Sequence, residues 1–104
     1  MSHIVKSADA FRGDRGEHLL AATDKLQVRV WENEPGGETN PPHSNEYDYV
    51  AYVIAGSLRV RIGDEPEADV LAGDTYAVPA GVEYSFDVTE TAKVVEAVAP
   101  GTAL

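Results

Sequence analysis

Apolar and polar residues alternate with a period of two along much of the chain after residue 25, which is typical of β-strands. The stretch LQVRVW at residues 26–31 sets Leu26, Val28 and Val30 against Gln27 and Arg29. SLRVRI at residues 57–62 follows the same rule, with its two arginines on the polar face. Each pattern predicts a half-buried strand whose aliphatic side chains face the core.

Other segments complete an all-β prediction. YVAYVI at residues 49–54 is apolar at every position, so one face is expected in the core and the other against a second sheet or another subunit. ADVL, TYAV, EYSFDV and KVVEAVA predict further short strands, separated by AGD, PAG and TET. Six or seven short strands without a good helix indicate an antiparallel sandwich or barrel.

Two segments are predicted differently. ENEPGGETNPP at residues 32–42 contains two glycines and three prolines, and a loop is expected there. Residues 1–25 mix polar and apolar positions and are not assigned, and EHLLAATDKL at residues 17–26 is left open between a short helix and a strand with a turn. The chain is therefore interpreted as a single domain, 1–104, with an uncertain segment at 1–25 and a barrel at 26–104.

Charge and composition narrow the classes of partner. The 104 residues include 18 acidic and 8 basic side chains, a net charge of -10, and no cysteine. Because phosphate backbones are bound mainly by Lys and Arg, nucleic acid is not an expected partner. No stretch resembles a secretory signal or approaches the ~18 apolar residues of a membrane span. We therefore predict no membrane association and a cytoplasmic location.

Two longer stretches resemble the conserved motifs of the cupin superfamily. GETNPPHSNEYDYVAYVIAG is similar to the first motif, and GDTYAVPAGVEY is similar to the second. The resemblance implies a double-stranded β-helix, the jelly-roll barrel of that family. The positions that match in identity and spacing are Gly37, His43, Gly56, Gly73, Pro79 and Gly81.

The same resemblance implies where a metal site would lie. The four metal-ligand positions of the family fall on His43, Asn45, Tyr49 and Tyr84, and only the histidine matches. If His43 points into the barrel, the period of two places Asn45, Tyr47, Tyr49, Ala51 and Val53 on the same face. Tyr84, Phe86 and Val88 would share that interior, whereas Glu46 and Glu83 would face outward.

These residues are poor ligands for a divalent metal. An amide oxygen is a weak donor, and a phenol must lose its proton to bind. We therefore predict no metal cofactor. If a single transition metal such as Fe, Mn, Zn or Ni binds, His43 is the expected ligand.

The predicted function is the binding of a small organic molecule in the barrel, with Asn45, Tyr47, Tyr49 and Phe86 as binding residues. The alternative is an enzyme acting on a sugar or keto acid, either metal-dependent with atypical ligands or a metal-free epimerase or isomerase. The resemblance then implies that His43 is the base and Tyr84 the acid, on opposite sides of the substrate. A purely structural role for the tyrosines is also open, because aromatic side chains fill the interiors of barrels well.

The apolar outer face of YVAYVI predicts a homodimer.

Overall fold

The computed structural model describes residues 4–13, 16–37 and 39–99, and in these ranges the chain forms eight β-strands and one 3₁₀ turn at Ser7–Asp9. The predicted all-β class is confirmed. The strands are β1 (Phe11–Arg12), β2 (His18–Ala22), β3 (Gln27–Glu34), β4 (Thr39–His43), β5 (Asp48–Ile62), β6 (Ala68–Leu71), β7 (Thr75–Val78) and β8 (Tyr84–Ala99).

Every strand pairing is antiparallel, and two long strands organise the sheet. The strand order is β1-β2-β3-β8-β5-β6, with β4 added to β8 and β7 added to β5. Strands β5 and β8 contain 15 and 16 residues and pair with each other along their length. The first half of β8 also pairs with β4, and its second half pairs with β3. Strand β8 therefore connects the part of the sheet that contains β4 to the part that contains β3, and β5 runs beside it in both parts.

The structure corrects several predicted boundaries. YVAYVI and SLRVRI form one strand, β5, while EYSFDV and KVVEAVA are joined through TET in β8. The loop predicted over residues 32–42 is wrong, because β3 continues to Glu34 and β4 begins at Thr39. Strand β4 tolerates Pro41 and Pro42 because it pairs only with β8 and shifts register between Asn40 and His43. For EHLLAATDKL the strand-and-turn alternative is correct, because β2 covers His18–Ala22, whereas the 3₁₀ turn lies earlier, at Ser7–Asp9.

Side-chain burial confirms one predicted face and contradicts another. Tyr49, Ala51 and Val53 are buried, and they form one core cluster with residues of β6, β7 and β8. In β3 the prediction is wrong, because Gln27 and Arg29 are 0% and 7% exposed whereas Leu26 is 48% exposed. Arg29 points inward because Glu96 and Tyr47 in the barrel interior accept its hydrogen bonds, and Gln27 lies on the same face of the strand.

Gly56 allows β5 to bend where its pairing with β8 shifts register. Its φ is +79°, in the left-handed region that favours glycine. A Cβ at this position would overlap the backbone of Thr91 and Ala92 on β8. The register of the two strands shifts repeatedly between Val53 and Leu58. The glycine at the end of the first conserved motif is thus required by a close approach of backbones.

Within the described residues, no helix is long and apolar enough to cross a membrane. The cytoplasmic location stays a prediction, as does the division of the chain into a single domain.

We predict that Gly56→Ala lowers the free energy of unfolding by about 3 kcal/mol or more, since backbone strain and a steric overlap add together. Urea denaturation followed by circular dichroism measures the loss. Gly73→Ala is the matched control, because Gly73 also has a positive φ of +93° but no atom lies near its missing Cβ. Equal losses in the two variants would contradict the role of the β5–β8 contact.

Candidate functional site

His43 and Tyr84 face each other across the β4–β8 pairing. They are register partners at the end of β4 and the start of β8. The imidazole Nε2 and the Tyr84 hydroxyl lie 2.8 Å apart, and the ring centroids are 4.3 Å apart. Asn45 donates from Nδ2 to the same hydroxyl over 3.1 Å. The structure therefore brings three of the predicted site residues into one hydrogen-bonded group.

The direction of each hydrogen bond follows from the position of Pro41. His43 Nδ1 lies 2.9 Å from the Pro41 carbonyl, which can only accept, so Nδ1 carries a proton. In the neutral imidazole, Nε2 is then an acceptor and the Tyr84 hydroxyl donates to it. Tyr84 in turn accepts from Asn45. The histidine is thus held in one tautomer and its free lone pair is occupied.

Backbone contacts bind the two motif segments to each other at this end of the barrel. The N–H of Gly81 donates to the carbonyl of Asn45 over 2.8 Å, and the N–H of Ala80 donates to Asp48 Oδ1 over 2.6 Å. The loop before Tyr84 is therefore fastened to the segment that carries Asn45. This explains why residues from two separate motifs converge.

Tyr49 links this group to the rest of the interior. Its ring lies 5.5 Å from the Tyr84 ring and 6.0 Å from the Tyr76 ring, both edge-on. Burial raises the pKa of Tyr49 and of Tyr76 well above the usual value. Burial also raises the pKa of Tyr84, although hydrogen bonds with Tyr49 and Asn45 lower it in part. All three phenols are protonated at neutral pH.

Arg29 and Glu96 form a buried ion pair deeper in the same interior. They are register partners on β3 and β8, and their side chains are only 9% and 7% exposed. Arg29 Nε donates to Glu96 Oε1, which also accepts from the indole N–H of Trp31 over 3.0 Å. Arg29 Nη2 donates to the Tyr47 hydroxyl over 3.2 Å. Tyr47 therefore belongs to this second polar group and not to the His43 group.

The guanidinium also contacts three aromatic rings. Its carbon lies 6.0, 5.3 and 5.8 Å from the ring centres of Trp31, Tyr47 and Tyr49. Burial lowers the pKa of Arg29, but the charge and hydrogen bond of Glu96 outweigh burial, and the net pKa is raised. Arg29 is thus a permanent cation, held by one carboxylate and a set of aromatic faces.

Arg29, Trp31 and Glu96 were not among the predicted site residues. Alternation in LQVRVW defines two faces but does not say which one points inward when the interior is polar. A usable signal lies in KVVEAVA, where Glu96 is the one charge between apolar residues on both faces. Such a carboxylate requires a buried partner, and the arginine of LQVRVW is a candidate.

The remaining predicted residues lie as follows. Phe86 is partly buried against the core and is the register partner of Asn40. Glu46 and Glu83 are exposed, as the parity of the strands predicts. The binding and catalytic roles assigned to His43, Asn45, Tyr47, Tyr49, Tyr84 and Phe86 stay predictions.

A cavity of about 490 Å³ lies between β5, β6 and β7. Its wall includes the inward-facing Val60, Val70 and Tyr76, and its rim carries Glu65, Asp69 and Asp74. Neither His43 nor Asn45 lines this cavity. Tyr76 belongs both to the cavity wall and to the aromatic contacts of Tyr49, and it is where the cavity meets the polar interior.

Antiparallel strands that wrap a mixed polar and aromatic interior define the molecule as a jelly-roll barrel domain. The family model described as Cupin domain matches residues 29–99. The chain belongs to the cupin family. A search of curated proteins finds no match.

Solved structures show the same fold. KdgF from Halomonas sp. is 21% identical, with a TM-score of 0.78 over 96% of this chain and 94% of that chain. An RmlC-like cupin from Shewanella frigidimarina is 19% identical, with a TM-score of 0.82 over 96% and 92%. A variant of oxalate decarboxylase from Bacillus subtilis is 25% identical, with a TM-score of 0.72 over 88% of this chain and 28% of that chain.

The donor set at the family's metal position does not fit a divalent transition metal. His43 Nε2 is engaged by Tyr84, and the raised pKa values keep Tyr49 and Tyr84 protonated. Asn45 offers only a neutral amide. No group of three or more His, Cys, Asp or Glu side chains comes together within the described ranges. The residues at this position therefore do not support chemistry through a metal.

The raised tyrosine pKa values predict a loss of stability at alkaline pH. A phenol with a raised pKa in the folded state stays protonated when the unfolded chain ionises, so its contribution is complete below the ordinary pKa of about 10 and falls above it. We expect the urea midpoint to decrease as the pH rises above about 10. Absorbance of phenolate at alkaline pH should include a component that appears together with unfolding. Smooth ionisation of all five tyrosines without any change in stability would contradict the burial of Tyr49, Tyr76 and Tyr84.

Proposed function

We propose that this cupin domain binds a small organic molecule in the interior of its barrel, without a metal. One observation carries the proposal: the His43–Tyr84–Asn45 group and the Arg29–Glu96 pair both face the interior, and Tyr49 contacts each of them. Concave sites with aromatic walls and a few placed polar groups are typical of small-molecule binding.

The energetics of this interior support a binding role. A buried ion pair is often no more stabilising than well-packed apolar residues of similar volume, because both charges lose their hydration. Val94 and Val98, which flank Glu96 on the same face of β8, show that aliphatic side chains fit this interior. Stability alone therefore gives little reason for a carboxylate and a guanidinium here, whereas recognition of a polar ligand does.

Binding is favoured over the epimerase or isomerase alternative by the distance between His43 and Tyr84. An acid and a base that act on opposite sides of a substrate need space for the substrate between them. Here the two groups are bonded directly, at 2.8 Å. Catalysis of that kind would require the pair to separate, whereas binding uses the group as it stands.

We predict that a metabolite library contains compounds that raise the melting temperature of the metal-free protein, and that His43→Ala and Tyr84→Phe reduce the gain. Tyr84→Phe removes only the hydroxyl that holds His43 and Asn45. Differential scanning fluorimetry finds the compounds, and calorimetry measures their affinity, with an expected loss of at least about tenfold.

Tyr52→Phe is the matched control, because Tyr52 lies on the outer face of β5 and is 46% exposed. Equal affinity in Tyr84→Phe, His43→Ala and the control would contradict the site. Exchange of a ligand proton for solvent deuterium, stopped by His43→Ala, would show that the bound molecule is a substrate.

We also propose that the partner of the outer sheet face is a second copy of the chain. Val50, Tyr52 and Ile54 of β5 are each about half exposed, at 52%, 46% and 46%. Two rows of apolar residues continue this surface across the pairing of β5, β8 and β3: Val50, Ala97 and Val28 in one, and Tyr52, Val95 and Val30 in the other. The side chains of these two rows are uncharged and can pack against their own copy about a two-fold axis, whereas the net charge of -10 disfavours contact elsewhere.

We predict that the protein is a dimer in solution and that Tyr52→Glu converts it to a monomer, since the carboxylate would be buried against its symmetry mate. Light scattering coupled to size exclusion measures the mass. Leu71→Glu is the control, because Leu71 is 54% exposed but lies on β6, outside the two rows. A monomeric parent protein at micromolar concentration would contradict the proposal.

A further inference from the structure

The Arg29–Glu96 pair retains hydrogen-bonding groups that no described side chain engages. The pair engages Nε and Nη2 of Arg29 and Oε1 of Glu96. Among the described side chains, none bonds to Nη1 of Arg29 or to Oε2 of Glu96. Arg29 therefore retains a donor and Glu96 an acceptor, while Tyr47 and Trp31 hold the two side chains in place.

Aromatic faces surround this donor and acceptor. Trp31 and Tyr47 are only partly buried, and with Tyr49 they lie within about 6 Å of the guanidinium carbon. Aromatic side chains of this kind supply flat, rigid and largely apolar contact surfaces. A ligand seated here meets ring faces on its apolar side and the ion pair on its polar side.

The charge of the interior indicates that the ligand is neutral. The guanidinium of Arg29 is compensated by Glu96, so the pair offers no net charge to an anion. The chain as a whole carries a net charge of -10. A carboxylate ligand would lose its hydration without gaining an unpaired cation.

We infer that the ligand is a neutral polyhydroxylated molecule, a sugar or a polyol, whose adjacent hydroxyl groups bind Arg29 Nη1 and Glu96 Oε2. A hydroxyl both accepts and donates, so two neighbouring hydroxyls satisfy both atoms of the ion pair at once. The C–H face of the same molecule contacts Trp31 and Tyr47. This inference rests on the proposed binding function, and it selects neutral sugars over keto acids.

The test compares sugars with the acids that share their skeleton. D-Glucose and D-glucuronate, and D-galactose and D-galacturonate, are titrated into the metal-free protein at low ionic strength and followed by protein NMR. The neutral member of each pair is expected to bind at least about tenfold more tightly. Tighter binding of either acid would overturn the inference.

A double variant tests the subsite without leaving a buried charge. Arg29→Met combined with Glu96→Leu replaces both partners by apolar side chains, which is expected to preserve folding. The affinity for the neutral sugar should fall at least about tenfold. The control replaces the exposed pair on the same two strands, Lys93→Met with Glu32→Leu, and should bind as the parent does. If the double variant does not fold, Trp31→Phe removes one bond to Glu96 and should weaken the same sugar several-fold.

Each outcome has a distinct meaning. Unchanged sugar affinity in a folded double variant, or in Trp31→Phe where the double variant does not fold, overturns the subsite. Metabolites that depend on His43 and Tyr84 but include no sugar or polyol overturn the ligand class while the proposed function stands. Absence of any ligand across the library and the sugars overturns both.

Discussion

The pairing of β5 with β8 is the constraint on which the rest of the structure depends. Strand β8 brings Tyr84 to His43 at its beginning and Glu96 to Arg29 near its end, so one strand carries a member of each polar group. Both groups face the same interior only if the two strands bend together and shift register between them. Gly56 permits that bend, because its missing Cβ leaves room for the backbone of β8. A packing requirement between two backbones therefore positions the chemistry of the site.

The sequence predicted the convergence of His43 with Tyr84 and the inward face of Tyr49, Ala51 and Val53. The convergence was implied by the resemblance to the two cupin motifs, and the period of two then placed Tyr49, Ala51 and Val53 on the inward face. The same period failed in β3. A period of two separates the two faces of a strand. The placement of the apolar face in the core is a further assumption, and it holds only where the interior is apolar. Arg29 lies inside because Glu96 and Tyr47 accept its hydrogen bonds, and Gln27 is buried on the same face of β3.

The boundaries of the strands were harder to predict, for a related reason. Gly56 and the TET segment are ordinary turn signals, yet both lie inside long strands, where they mark bulges and a bend. The two prolines of β4 indicated a loop, but a strand that pairs on one side needs only half of its backbone hydrogen bonds. Glycines, prolines and short polar segments indicate that regular hydrogen bonding between strands is interrupted at that point. Whether the chain turns back or continues depends on the neighbouring strand.

The interior contains two polar groups that differ in whether their hydrogen-bonding atoms are all engaged by described residues. Around Tyr84 the hydroxyl donates to His43 and accepts from Asn45, so this group is largely satisfied within the protein. The Arg29–Glu96 pair, in contrast, keeps one donor and one acceptor beside aromatic faces. Tyr49 contacts both groups, and its raised pKa keeps it neutral, so it joins them without adding charge. A closed hydrogen-bonded group shapes one end of the interior, and the ion pair at the other end is where we propose that the hydrogen bonds to a ligand are made.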